Sequence, residues 1–438
     1  MVATSWKGEC MKILSLFDGM ACGMIAMLNA GIEVESYDAY EIDKYAIKVS
    51  SHNFPNIKHH GDVFQADFTQ YEGVDFLVGG SPCTYWSIAQ KNNRETEASG
   101  MGWELFSQYV RAIKEAKPKF FIYENNKSMS AAIRESIDKA FGFEAVCINS
   151  ALVSAQNRNR LYWVGIRNLD GTYSKVNVDQ PEDRGILLRD VLDSVALREK
   201  ANCLCGNRGG TCLSHDLRKS KHNYGAELVC VAQRGSYTPK GIEQHYETRE
   251  DGKTNVLTTV QKDNNICEPV RIGCYPSPDG TIKNSQGMRL YSLDGKSVNM
   301  TAQGGGLGAK SGLYAFDVPR YAEPVEWDES GNPTKAKSYA DGKTYDVYRV
   351  ESGQITIKDK QYPIKLADGY YIIRKLTVTE CMRLQTVPEW YDFSVISKSQ
   401  AYKCLGNGWT CEVITHLINA IQTASRKKWL DDLLGDCL

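Results

Sequence analysis

Short apolar runs alternate with stretches of helical periodicity through the first 166 residues, and that alternation restricts the fold more than any other feature of the chain. Strands are predicted at Met11–Phe17, Glu33–Glu41, Ile57–Val63, Val74–Val78, Lys119–Glu124, Glu144–Asn149 and Leu161–Ile166. Helices are predicted between them at Met24–Asn29, Lys44–His52, Trp103–Ala116 and Ala131–Ala140. In the helix over 103–116, Leu105, Tyr109, Ala112 and Ile113 share one side. Such an order builds an α/β domain with a doubly wound, mostly parallel sheet covered by helices on both faces. Sheets of that kind place ligands and chemistry outside the carboxyl ends of their strands.

With 438 residues the chain is too long for one ordinary domain. Composition shifts after residue 185. Residues 200–313 hold 16 of the 37 glycines, and 15 Lys and Arg against 10 Asp and Glu, a local basic excess in a chain of net charge −1. A weak repeat pairs Asp251–Thr258 with Asp294–Thr301, as duplicated hairpin turns would. Residues 345–373 alternate around Gly353 and Gly369 like short antiparallel strands. Helical patterning returns from Arg374, through Thr377–Gln385 and Cys411–Arg426. The expected organisation is a catalytic and cofactor-binding part at 1–185, a smaller loop- and strand-rich domain at 186–373, and a segment at 374–438 that returns to the first part. No apolar run approaches the ~18–20 residues of a membrane span, and the N-terminus does not read as a signal peptide. Fourteen cysteines are too sparse for a secreted disulfide scaffold, so a cytoplasmic protein is expected.

Three predicted strand ends carry chemistry of one kind. The first runs into Phe17-Asp18-Gly19, where a glycine lets a ligand approach the backbone near a helix start. Glu41 ends the second strand 22 residues after Gly19, close to the ~20-residue spacing of a carboxylate that grips ribose hydroxyls. Asp62 ends the third. Glycine, carboxylate and carboxylate suit an adenosine nucleoside better than phosphates, and no phosphate-binding lysine follows. The apolar run Val74–Val78 then stops at Gly79-Gly-Ser-Pro-Cys83, which presents one thiol at a strand end. Glu124 ends the next apolar strand, and Arg158 and Arg160 precede the last.

In that order the glycine turn, Pro82-Cys83, Glu124-Asn125 and Gln156-Asn-Arg-Asn-Arg160 resemble the DNA (cytosine-5) methyltransferase family, of bacterial or phage type. Arg374–Pro388 and Gln400–Asn407 are similar to its last two motifs, so the likeness is strongest over 1–170 and 374–438. The first turn, Leu16-Phe-Asp-Gly-Met-Ala-Cys-Gly23, is nearer to the family's animal de novo branch. The resemblance implies a Rossmann-like methyltransferase sheet with a target recognition domain, and S-adenosylmethionine as cofactor. Phe17 and Gly19 would lie beneath its methionine part, with Asp18 also in the pocket, Glu41 on its ribose, Ile42 against adenine and Asp62 on the adenine amine. Val63, Pro82, Leu105, Asn407 and Gly408 would complete that pocket. Glu124-Asn125-Asn126 and Gly406-Asn407-Gly408-Trp409 depart from the usual Glu-Asn-Val and Gly-Asn-Ser-Val.

Carbon-5 of cytosine is a poor nucleophile until a soft nucleophile adds at carbon-6, which favours a thiolate. The resemblance therefore gives Cys83 the covalent step, Glu124 the proton at ring nitrogen N3, Arg160 the base carbonyl and Arg158 the orientation of the site. The base must be turned out of double-stranded DNA to be reached. Ser87, Gln286, Arg289, Thr301, Gly305 and Gly306 are expected on the DNA, with Gln286 filling the vacated stack and Arg289 reading a guanine within a short G-C-containing site. A monomer is expected, and a cognate restriction endonuclease is an open partner. A tRNA cytosine-5 methyltransferase of the same fold and a catalytically silent DNA-binding subunit remain alternatives. Cys203, Cys205, Cys212 and His215 fit no common zinc spacing, so no metal is expected.

Overall fold

The computed structural model describes residues 10–87, 94–193, 230–238, 241–249, 271–277, 279–282, 288–300, 307 and 311–435. Among them the first sheet comprises β1 (Cys10–Leu16), β2 (Glu33–Tyr40), β3 (Lys58–His59), β4 (Phe76–Gly79), β5 (Phe120–Asn126), β6 (Val146–Asn149), β7 (Asn159–Arg167) and β8 (Tyr173–Lys175). Their order is β3-β2-β1-β4-β5-β7-β6, with β8 beside β7. The pairings from β3 to β5 are parallel, whereas β7 runs antiparallel to β5, β6 and β8. Helices α1 (Cys22–Asn29), α2 (Lys44–Asn53), α3 (Gly100–Ala116) and α4 (Ala131–Phe141) make the connections. Ile13, Leu14 and Leu16 in β1, and all of β4, are buried because helices cover both faces of the sheet.

Two sequence expectations shift. The third strand, expected over 57–63, pairs only at Lys58–His59, because it is an edge strand bonded to β2 alone and Gly61 turns left-handed at φ 78°. Asp62 instead caps a short 3-10 turn, Val63–Gln65, by accepting from the Phe64 N–H. In α3 the fully buried stripe is Phe106, Tyr109, Ala112 and Ala116, with Leu105 and Ile113 only half-buried. Phe106 takes the inner position because its ring meets Tyr123 at 5.3 Å and Phe141 at 5.5 Å between centroids.

Residues 195–267 form a separate compact unit whose described part is an antiparallel hairpin, β9 (Cys230–Thr238) with β10 (Gly241–Arg249). The rest of the middle region belongs to the same compact unit as the first sheet. It contributes β11 (Arg271–Cys274), β12 (Arg289–Tyr291), β13 (Leu313–Asp317), β14 (Ala322–Trp327), β15 (Pro333–Ser338), β16 (Thr344–Glu351), β17 (Gln354–Ile357), β18 (Lys360–Pro363) and β19 (Gly369–Arg374). These make a second sheet in the order β11-β12-β13-β19-β16-β15-β14, extended by β17 and β18. A shared apolar core is the reason for the merged unit: Tyr314, Phe316 and Ile372 cluster with Met20, Cys22 and Ile25.

The chain then forms α5 (Val378–Leu384), α6 (Lys398–Asn407) and α7 (Cys411–Gly435). Val413, Ile414, Leu417, Ile418 and Ile421 of α7 are fully buried in one cluster with Ala26 and Met27 of α1, which returns the C-terminal segment to the first sheet. The step from β19 into α5 is held by a buried ion pair. Both terminal nitrogens of Arg374 donate to Glu380, each at 2.8 Å, and the guanidinium lies 3.8 Å over the Phe316 ring. Glu380 also accepts from the Thr377 N–H, closing a capping box. Among the described residues, no helix is long and apolar enough to cross a membrane.

Candidate active site

The site lies at the carboxyl ends of β1, β2, β4 and β5. After β1 the backbone turns through Phe17, Gly19 and Ala21, all left-handed at φ 58°, 63° and 62°. Two of these are not glycine, so the turn holds strain that its surroundings must impose. Two fixed points supply it: the Gly19 N–H donates to Glu41 Oε2 at 2.8 Å, and Tyr391 Oη donates to the Met20 carbonyl at 2.7 Å. Glu41 Oε1 accepts from the N–H groups of Ile42 and Asp43, both at 2.8 Å, so one carboxylate ties the ends of β1 and β2 together. Ile42 beside it is 75% exposed. Asp62 and Pro82 are exposed, Val63 is buried, and Leu105 is half-buried against the core beneath α3.

Asp18 sits inside the turn. Its Oδ1 accepts from Ser15 Oγ and Tyr37 Oη, both at 2.7 Å, while its Oδ2 is enclosed with no hydrogen-bond partner. Burial, opposed by those two hydroxyls, raises its pKa from 3.8 to about 6. A carboxyl whose pKa is raised by folding favours the fold while protonated, and that contribution fades as pH climbs from near 4 through 6. Asp18→Asn is therefore expected to raise the melting temperature at pH 7 and to have little or the opposite effect at pH 4. A stabilisation that grows toward low pH would contradict this assignment.

β4 ends in Gly79-Gly80, and both glycines are required by close approach. A Cβ at Gly79 would stand 2.5 Å from the Leu16 carbonyl oxygen, and one at Gly80 would stand 2.9 Å from Glu124 Oε2. Ser81 Oγ meets Tyr123 Oη at 2.7 Å, and Asn125 Nδ2 donates to the Ser81 carbonyl at 3.1 Å. These contacts fix the start of the 3-10 turn Cys83–Tyr85, whose first residue presents a half-exposed thiol. Asn126, the departure noted in the sequence, reaches the Cys83 carbonyl with Nδ2 at 3.4 Å.

Glu124 and Arg160 meet because of strand register. β5 and β7 pair Asn126 with Arg160 and Glu124 with Tyr162, so Glu124 and Arg160 are diagonal neighbours on one face. Arg160 Nε lies 3.0 Å from Glu124 Oε1, with both side chains about nine-tenths buried. Arg158 is buried, and its guanidinium donates to Asn299 Oδ1 at 2.9 Å and to the Gly408 carbonyl at 2.8 Å. Burial, and next the like charge of Arg160, bring its pKa down to about 10, which leaves it charged at neutral pH. It thereby ties the end of α6, where Asn407 is exposed and Gly408 half-buried, to the strand that carries Arg160.

Residues invisible to motif reading complete the site. Trp86 is fully buried, and its Nε1 donates to Glu95 Oε2 at 3.0 Å, while Glu95 also accepts from the Gly102 N–H at the start of α3. Arg94 Nε donates to the Trp86 carbonyl at 3.1 Å, and its Nη2 to the Ser128 carbonyl at 2.7 Å. These contacts fasten the chain after residue 93 to the segment that follows Cys83. Trp409 Nε1 donates to Glu124 Oε2 at 3.0 Å. Ser87 is half-buried, with its N–H on the Cys83 carbonyl at 2.9 Å, and Arg289 opens β12. Gln286, Thr301, Gly305 and Gly306 lie outside the described residues, as do Cys203, Cys205, Cys212 and His215. No group of three or more His, Cys, Asp or Glu among the described residues is placed to hold a metal. A half-exposed thiol following the strand next to a buried carboxylate–guanidinium pair can add to an electron-poor carbon and serve a proton close by.

The chain is similar to known methyltransferases over nearly its whole length. The chain is 27% identical to the orphan methyltransferase M.SPRI of Bacillus phage SPR over 94% of its length and 97% of the relative. It is 22% identical to the type II methyltransferase M.HhaI of Haemophilus parahaemolyticus over 93% of each chain. Among solved structures, the Entamoeba histolytica methyltransferase EhMeth matches with a TM-score of 0.50 at 12% identity, covering 94% of this chain and 98% of that one, a likeness of fold. The family model of C-5 cytosine-specific DNA methylase matches residues 11–423, nearly the whole sequence, and the chain belongs to that family.

Proposed function

We propose that this protein methylates carbon-5 of a cytosine turned out of duplex DNA, through a covalent bond between Cys83 Sγ and carbon-6. The observation that carries the reading is the Arg160–Glu124 pair, with Glu124 on the strand beside the one that leads into Pro82-Cys83 and Arg160 on the strand beyond it. Addition of the thiolate at carbon-6 breaks the ring's aromaticity, and the electron pair moves toward N3. Glu124 would hold the proton at N3, and Arg160 would keep that carboxyl oriented and meet the base carbonyl. Once carbon-5 has taken the methyl group, removal of its proton by solvent base expels the thiolate and restores the aromatic ring.

S-adenosylmethionine fits the ends of β1 and β2. Glu41 offers a carboxylate fixed by three backbone N–H groups, Ile42 an exposed apolar surface, and Asp18 an enclosed oxygen without a partner. Bound there, it supplies an electrophilic methyl group carried on a sulfonium. Phe17 and Gly19 would hold its methionine part, Asp62 and Val63 its adenine, with Pro82, Leu105, Asn407 and Gly408 around them. Glu41→Ala should weaken cofactor binding about 10- to 100-fold, the worth of hydrogen bonds to a charged acceptor. The turnover rate at saturating cofactor should change much less, because those bonds persist from ground to transition state. Calorimetry checks this, and unchanged affinity would remove Glu41 from the pocket.

On the DNA, Ser87, Thr301, Gly305 and Gly306 would line the duplex, Gln286 would fill the vacated stack, and Arg289 would read a guanine by two hydrogen bonds. The catalytic part would then be 1–185 with 374–438, and the recognition part 186–373, in a cytoplasmic monomer. Bisulfite sequencing of DNA from cells expressing the protein tests the reading. It predicts cytosines fully converted to 5-methylcytosine within one short site that contains a fixed guanine. Unmodified DNA with methylated tRNA would move the activity to RNA, and modification of neither would overturn it.

A further inference from the structure

Glu124 is gripped at both oxygens, and only one grip belongs to the charge chemistry described above. Oε1 faces Arg160 Nε at 3.0 Å, whereas Oε2 accepts the indole N–H of Trp409 at 3.0 Å. Trp409 stands directly after Gly406-Asn407-Gly408 and just before α7. Its ring is half-buried between the two core clusters of the catalytic part, and a Cβ at Gly23 would come within 3.8 Å of its Cζ3. Glycine at 80 leaves Oε2 its room on the other side. The indole is therefore wedged in place and has one polar task, which is to hold that oxygen.

A carboxylate anchored at one oxygen still turns about its last side-chain torsion, which is broad and shallow. Anchored at both, it has one orientation, and its remaining lone pairs point in fixed directions. An indole donor achieves this without adding a second positive charge beside Arg160, so the carboxyl is oriented but its charge is not further neutralised. The donor also comes from the segment whose Gly408 carbonyl binds Arg158 at 2.8 Å, so the acid and the end of α6 are fixed as one body.

We propose that Trp409 is a positioning residue of the methyl-transfer reaction, setting the angle of the Glu124 carboxyl through its indole N–H; this rests on the reading of Glu124 as the group that serves the proton at N3. Fixed alignment of a proton-transfer group is worth orders of magnitude in rate, and slight misplacement forfeits much of it.

The test combines two variants with a spectroscopic control on the full-length protein. Trp409→Phe keeps an aromatic ring and loses the N–H, and the benzothiophene isostere of tryptophan at 409 keeps the shape as well. Both should lower the turnover rate at saturating DNA and S-adenosylmethionine about tenfold or more, with cofactor affinity by calorimetry and melting temperature close to wild type. A wild-type rate in the isostere would overturn the proposal, as would a loss that vanishes at saturating cofactor, which would make Trp409 a cofactor-binding residue. Independently of activity, the Trp409 indole proton resonance in nitrogen-15-labelled protein should move upfield in Glu124→Ala. An unmoved resonance would show that the contact is absent, whereas a wild-type protein inactive on DNA would count against the methyltransferase reading and not against the contact.

Discussion

Cys83→Ala is expected to abolish methyl transfer to DNA, a loss on the order of 10⁴-fold or more, as when other covalent nucleophiles are removed. In the proposed mechanism the thiol acts on the base and not on the sulfonium. Cys83 is half-exposed, it opens a 3-10 turn, and its backbone carbonyl, which accepts from Trp86, Ser87 and Asn126, is retained by alanine. The variant should therefore fold normally and bind S-adenosylmethionine with wild-type affinity, since Glu41 and the Phe17–Ala21 turn are untouched. Transfer of a labelled methyl group to DNA measures the first effect, and calorimetry the second. An alanine variant that keeps activity would end the covalent mechanism. One that loses cofactor affinity as well would place the thiol in the wrong pocket.

The second large effect concerns the fold beneath the site. Glu380→Ala should destabilise the protein by about 3–5 kcal/mol, because it strands a buried guanidinium without its carboxylate. Arg374 and Glu380 are 1% and 0% exposed, and Glu380 also closes the capping box that starts α5. Arg374→Met should cost a similar amount by stranding the opposite charge. The double variant Arg374→Met, Glu380→Leu should recover most of the loss, since replacing both partners removes the uncompensated charge. Urea unfolding of the three proteins reads this directly. If Glu380→Ala unfolds within about 1 kcal/mol of wild type, the pair is not what joins β19 to α5.

The proposed catalytic residues stand out in the sequence because each ends or borders a strand, and strand ends in an α/β sheet are few. Val74–Val78 followed by Gly-Gly-Ser-Pro-Cys places Cys83 almost by itself, and the 22-residue step from Gly19 finds Glu41. Contacts between distant segments leave no such trace. Trp409 touches Glu124 across 285 residues, and Asn299 touches Arg158 across 141, so no spacing reveals either. Trp409 did leave one mark, as a large aromatic where the family has a smaller residue, but its partner could not be inferred from that. The third strand is shorter than its expected range for another reason. Its apolar pattern was weak and it lies on the sheet edge, where one neighbour must supply all the pairing. The side of α3 that holds Leu105, Tyr109, Ala112 and Ile113 does pack on the core, but Phe106 was not legible as its innermost residue, because Phe106 and Leu105 are adjacent apolar residues. Only the aromatic cluster of Tyr123 and Phe141 decides which one turns inward.

The most direct test of the central claim is the covalent bond itself. Duplex DNA in which cytosine is replaced by 5-fluorocytosine carries no proton at carbon-5 that can be removed, so a methylated adduct cannot expel its thiolate. Incubated with S-adenosylmethionine and this DNA, the protein should form a complex that survives denaturation, with the attached nucleotide mapped by mass spectrometry to Cys83. The same DNA should give no such complex with Cys83→Ala. An adduct on another residue, or methylation of ordinary DNA without any trapped complex on the fluorinated duplex, would contradict the account.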